Sequence, residues 1–151
     1  MSDKPKVLKY KTYLSMIENS VGSIQYRNLW GEWPDGRVED LTKGGELSCA
    51  VFVTSILKLF DAIGEQKATV KGAVERMKND GWKNVDIEGI EPGDVIVWER
   101  NKTDYTHPHI GFYIGNNLAV SNSWKLNKVV RHSWNYGGKR DVVEVLRWTK
   151  W

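Results

Sequence analysis

The chain has only one cysteine in 151 residues, Cys49, so it can form no internal disulfide and its fold does not depend on an oxidising compartment. No run of roughly twenty apolar residues occurs, which excludes a membrane-spanning helix of ordinary length. Met1-Ser2-Asp3-Lys4-Pro5-Lys6 does not lead into the apolar core of a secretory leader, so a soluble protein outside the general export route is expected, its compartment left open. Charge of one sign is also scarce: 22 Lys and Arg stand against 19 Asp and Glu, mixed along the chain, which argues against a nucleic-acid partner. No glycine-rich phosphate loop joins a strand to a helix, and no cofactor is expected. Repeats and low-complexity tracts are missing as well.

What remains is an ordinary globular composition, with 40% hydrophobic and 27% charged residues, suited to one domain over 1–151 and to a monomer. Its unusual feature is the 8 tryptophans, which fit a core built on large rings or a groove that stacks on sugars or extended peptides.

Cys49 opens an apolar stretch in which Phe52, Val53, Ile56, Leu57 and Phe60 recur at three- and four-residue spacing, so a helix lays one face on the core. Ser48 can accept from its first backbone amides. A thiol in that first turn feels the positive end of the helix, which predicts a pKa below the free value of roughly 8.5. The amide of Cys49, unpaired within the helix, can serve as an oxyanion donor. Two further helices are predicted, one over Tyr10 to Val21 and one from an N-cap at Thr69 to a stop at Gly81. Between Ser23 and Gly45 periodicity disappears, and a long ordered loop is expected there.

Strand patterns then follow in series. They cover Val95 to Glu99, His109 to Ile114, Leu118 to Ser123, Val129 to Trp134 and Val142 to Trp148. Helices first and consecutive strands afterwards predict an α+β fold with an antiparallel sheet or half-barrel.

A cysteine nucleophile needs a base and a third polar group that orients the base. Of His107, His109 and His132, His109 is best placed, because it opens a strand after a flexible loop over Arg100 to Pro108, and Gly111 leaves room above the sheet. Asn122, on the returning strand, can accept from the ring N–H of His109. His132 reads as a structural residue. A zinc site built from His107, His109, Cys49 and His132 lacks a second tight spacing, and no metal is expected. Trp98, Trp134 and Trp148 read as core, Trp30, Trp33 and Trp124 as groove walls, and Asp94 as the cap of its turn.

Cys49 at a helix start, Pro92-Gly93-Asp94-Val95-Ile96-Val97-Trp98, and His109-Ile110-Gly111-Phe112-Tyr113-Ile114-Gly115 together resemble the NlpC-type and CHAP cysteine peptidases and amidases, which are similar to a pared-down papain. The resemblance covers the stretch from Ser48 to Ser123. It implies a papain-like α+β fold, with the catalytic cysteine at a helix N-terminus packed on an antiparallel sheet, and cleavage of amide bonds in bacterial cell-wall peptides. Ser48 departs from the aspartate usual before the cysteine, and Ser121 stands where a histidine often serves as the third residue. The CHAP pattern instead puts Asn122 in that place, which is preferred here, with Ser121 the runner-up and a substrate contact. Tyr26 matches an upstream tyrosine near the oxyanion site. The expected function is therefore hydrolysis of an amide in a peptidoglycan stem peptide by Cys49, His109 and Asn122. A glycan- or peptide-binding module with an inert thiol, and a cytosolic deamidase, thioesterase or acyltransferase, are the alternatives.

Overall fold

A computed structural model describes residues 3–99 and 107–151. The elements run α1 (Lys9–Asn19), β1 (Trp30–Glu32), β2 (Val38–Asp40), α2 (Ser48–Leu59), α3 (Val70–Asp80), β3 (Lys83–Asn84), β4 (Val95–Trp98), β5 (His109–Gly115), β6 (Leu118–Ser123), β7 (Lys128–Ser133) and β8 (Val142–Arg147). The loop expected over 100–108 lies outside the described residues except for its last two. Among the described residues, no helix is long and apolar enough to cross a membrane.

The helices form where apolar periodicity predicts them, within a residue or two at each end. Thr69 caps α3 by accepting from the Gly72 amide at 3.0 Å, and Gly81 ends it at φ +113°, a left-handed conformation that glycine adopts without a Cβ clash. The expected loop over 23–45 contains the antiparallel hairpin of β1 and β2. Its turn is closed by the Asp35 carboxylate accepting from the Arg37 amide at 3.0 Å. Strands of three residues with exposed side chains carry too little alternation to be read from sequence.

Six strands form one antiparallel sheet in the order β3-β8-β4-β5-β6-β7. This is the α+β arrangement of helices followed by an antiparallel sheet, and β3, two residues long, is its unforeseen edge. One face is covered by α2, which packs on β5 and β6 through Phe52, Val53, Ile56, Ile110, Phe112 and Val120, all essentially fully buried. Tyr13 of α1 joins the same core edge-on to Phe112. The opposite face carries a smaller cluster of Ile96, Trp98, Tyr113 and Ala119, with Trp134 and Tyr136 against it.

Polar contacts fix the turn that launches β4. The hydroxyls of Tyr10 and Tyr13 donate to the carbonyls of Pro92 and Gly93 at 2.6 and 2.7 Å. Asp94 caps the turn by accepting from the Glu91 amide at 2.8 Å, and it receives two bonds from the Arg147 guanidinium at 2.8 Å each. Asp94 is buried, so removing it takes away the two-bond partner of Arg147 and leaves it only the longer carboxylate contact to Glu91 at 3.7 Å. Asp94→Ala is expected to lower the unfolding free energy in urea by about 2 kcal/mol. An unchanged midpoint would show that the turn holds without this pair.

Candidate active site

The approach to Cys49 is organised by one carboxylate. Asp40 accepts from the amides of Leu29 and Thr42 at 3.0 Å each, from the Thr42 hydroxyl at 2.8 Å, from Asn28 Nδ2 at 2.7 Å and from the Gly44 amide at 3.1 Å. Desolvation opposes its charge, yet these donors hold its carboxyl well below the usual range. The single proton of the Thr42 hydroxyl is shared between Asp40 and the nearby Arg27 carbonyl. The segment thus arrives at α2 in a fixed path.

Ser48 is the first residue of α2, not its cap, and it does not receive the helix's free amides. Its hydroxyl donates back to the Gly45 carbonyl at 2.6 Å and accepts from Asn122 Nδ2 at 2.6 Å. Cys49 follows in the first turn, where its own N–H has no partner within the helix. The expected depression of its pKa is not found: burial pushes the thiol up to about 11. The amides of Ile110, Ala50 and Cys49 and the charge of Arg140 favour the thiolate, but loss of water outweighs them.

His109 is the first residue of β5, buried at 7% exposure and stacked on Trp98 with ring centroids 5.3 Å apart. Desolvation, then the charges of Arg140 and His132, hold its pKa well below 6.5. Its partner is Ser121, whose Oγ lies 2.9 Å from His109 Nε2. The register explains the choice. With Phe112 opposite Val120, alternation puts Ser121 on the face of His109 and turns Asn122 to the α2 face, beside Ile110. Asn122 therefore does not orient His109; it ties β6 to the start of α2 through Ser48. The approach of the two strands depends on Gly111, where a Cβ would sit 2.8 Å from Ser121 Cβ and from the Val120 carbonyl oxygen.

A cavity of about 470 Å³ opens at this end of the sheet, and Cys49, His109 and Asn122 all line it. Leu47, Ala68, Val70, Pro108 and Trp124 give it apolar walls, and Arg140 contributes a cation. Among the described residues, Asn122 Oδ1 is buried without a hydrogen-bond partner. Of the residues expected at a groove, only Trp124 reaches this cavity. Trp30 and Trp33 stay exposed on the β1–β2 hairpin, and Tyr26 is a core residue packed edge-on against Phe52. Among the described residues, no three His, Cys, Asp or Glu side chains are grouped to hold a metal ion.

Sequence reasoning passed over Tyr136 and Arg140 and gave His132 only a structural role. His132 Nε2 lies 2.7 Å from the same Ser121 Oγ, and its ring stacks on Tyr136 at 4.2 Å. Arg140, 5% exposed, donates to the carbonyls of Glu99 and His107, tying the end of β4 to the residues before β5. The β6–β7 hairpin carried a signal for His132. It pairs Ala119 with His132 and Ser121 with Val130, which makes Ser121 and His132 diagonal neighbours on one face.

No protein-family model matches this sequence, and no curated protein matches it. A solved structure similar to it, NlpC2 from Trichomonas vaginalis, superposes with a TM-score of 0.60 at 17% identity, over 98% of this chain and 49% of that one. The fold is NlpC-like. The chain spans about half the length of that neighbour.

Both imidazoles are depressed, so each favours the folded state at pH values above its unfolded pKa of about 6.5. That contribution is lost as pH falls through the folded values. Urea unfolding between pH 7.5 and 4.5 should show declining stability, and the decline should flatten in the double variant His109→Gln, His132→Gln. An equal slope in both proteins would contradict buried, neutral rings.

Proposed function

We propose that this NlpC-like domain is a cysteine hydrolase that cleaves an amide bond, most specifically in a peptidoglycan stem peptide, through an acyl-enzyme. The observation that carries the reading is the cavity on which the first-turn thiol of α2 and the first residue of β5 meet. A thiol and an imidazole lining one cavity are suited to attack with general-base assistance. Cys49 Sγ adds to the substrate carbonyl while its proton passes to His109, and the N–H of Cys49 faces the developing oxyanion. His109 then protonates the leaving amine. Water, deprotonated by the same ring, releases the acyl group and restores the thiol. Asn122 Oδ1, buried on the cavity wall without a partner, receives an N–H of the substrate, and Trp124 supplies an apolar wall.

The raised thiol pKa favours a second reading, in which the same cavity binds a peptide or glycan and Cys49 is inert. Release of new amines from purified cell wall and from synthetic stem peptides separates the two. The hydrolase loses all turnover on Cys49→Ala while its thermal midpoint stays within a few degrees of the parent. Turnover retained by that variant would overturn the nucleophilic role.

A further inference from the structure

Behind the catalytic pair lies a chain of polar groups on the sheet face away from α2. His109 Nε2 is 2.9 Å from Ser121 Oγ, Ser121 Oγ is 2.7 Å from His132 Nε2, and His132 Nδ1 is 2.7 Å from the Ser133 carbonyl oxygen. Donor chemistry orders the protons along it. The Ser133 carbonyl only accepts, so His132 Nδ1 carries a proton. In a neutral ring Nε2 is then bare, and it accepts the hydroxyl proton of Ser121. That hydroxyl has no second proton, so its contact with His109 requires the proton to sit on His109 Nε2. His109 Nδ1 is left bare.

We infer that His132, acting through Ser121, is a positioning residue that locks His109 in the tautomer whose Nδ1 serves as the base for Cys49. The inference rests on the hydrolase reading for its function but not for its geometry. Asn122, on the other sheet face, takes no part. The surroundings keep His132 neutral. Burial lowers its pKa, the Arg140 cation adds to this, and the Ser133 carbonyl opposes both. Its ring faces Tyr136, stacked at 4.2 Å, and Trp98 at 5.5 Å, with Arg140 over the Tyr136 ring at 5.6 Å and His109 beyond Ser121. The Tyr136 hydroxyl, 3.4 Å from Ser121 Oγ, can donate to the second lone pair of that oxygen without disturbing the order. Protonation of His132 reverses the chain. Both its nitrogens then donate, Ser121 turns its proton to His109 Nε2, and the His109 proton moves to Nδ1, where it blocks acceptance from the thiol.

The test is long-range proton–nitrogen NMR on the full chain with 15N-labelled histidine, at pH 7.5, for the parent, His132→Phe and His132→Gln. The parent should show His109 as a single Nε2–H tautomer. His132→Phe removes the acceptor and should give mixed tautomers, with kcat on a stem peptide falling about tenfold or more at little change in KM. His132→Gln puts an amide oxygen near the place of Nε2 and should restore the single tautomer and most of kcat. A parent His109 carrying its proton on Nδ1, or an unaltered Nε2–H tautomer in His132→Phe, would overturn the inference. The parent spectrum decides against it even where His132→Phe does not fold. An ordered tautomer in a chain that cleaves nothing would support the relay and refute the hydrolase reading alone.

Discussion

The Ser121 hydroxyl holds two imidazoles with a single proton, and the geometry of the site depends on that bridge. It exists because β5, β6 and β7 run antiparallel in a register that brings His109, Ser121 and His132 to one face. Gly111 is what lets the strands meet there, since a Cβ at that position would collide with Ser121 and the Val120 carbonyl. Trp98 closes the face from the side of β4, stacking on His109 and donating from its indole N–H to the Trp134 carbonyl at 2.8 Å.

The cysteine belongs to the other layer. Its helix is fastened to the sheet by apolar burial, and its first turn by the contact from Asn122 to Ser48. Cys49 and His109 therefore come from opposite sides of the sheet and both reach the cavity at its end. Desolvation pushes the thiol pKa up and the imidazole pKa down. In the proposed hydrolase, activation would be a proton transfer during attack, which places weight on which nitrogen of His109 is bare.

Much of this was legible from residues alone. The apolar period of α2, the Thr69 and Gly81 boundaries of α3 and the strands from β4 to β8 are local patterns, and local patterns survive into the fold. Cys49 and His109, singled out together from sequence, both line one cavity. The third group was not legible, because a choice between Ser121 and Asn122 is a choice of face, and face is set by register across the β5–β6 turn. Asn122, preferred for that place, is turned away from His109 and bonds Ser48 instead. Helix-terminus reasoning about the thiol failed differently: it counted the favourable dipole without the desolvation that only packing reveals. Trp30 and Trp33 misled because an exposed hairpin and a groove wall look alike in sequence.

Because Cys49 is the only thiol, its reaction with iodoacetamide at pH 7, followed by intact mass, reads a single site. Assistance from His109 requires the parent to be labelled at least about tenfold faster than His109→Ala. Equal rates in the two proteins would contradict the pairing of thiol and imidazole on which the hydrolytic reading stands.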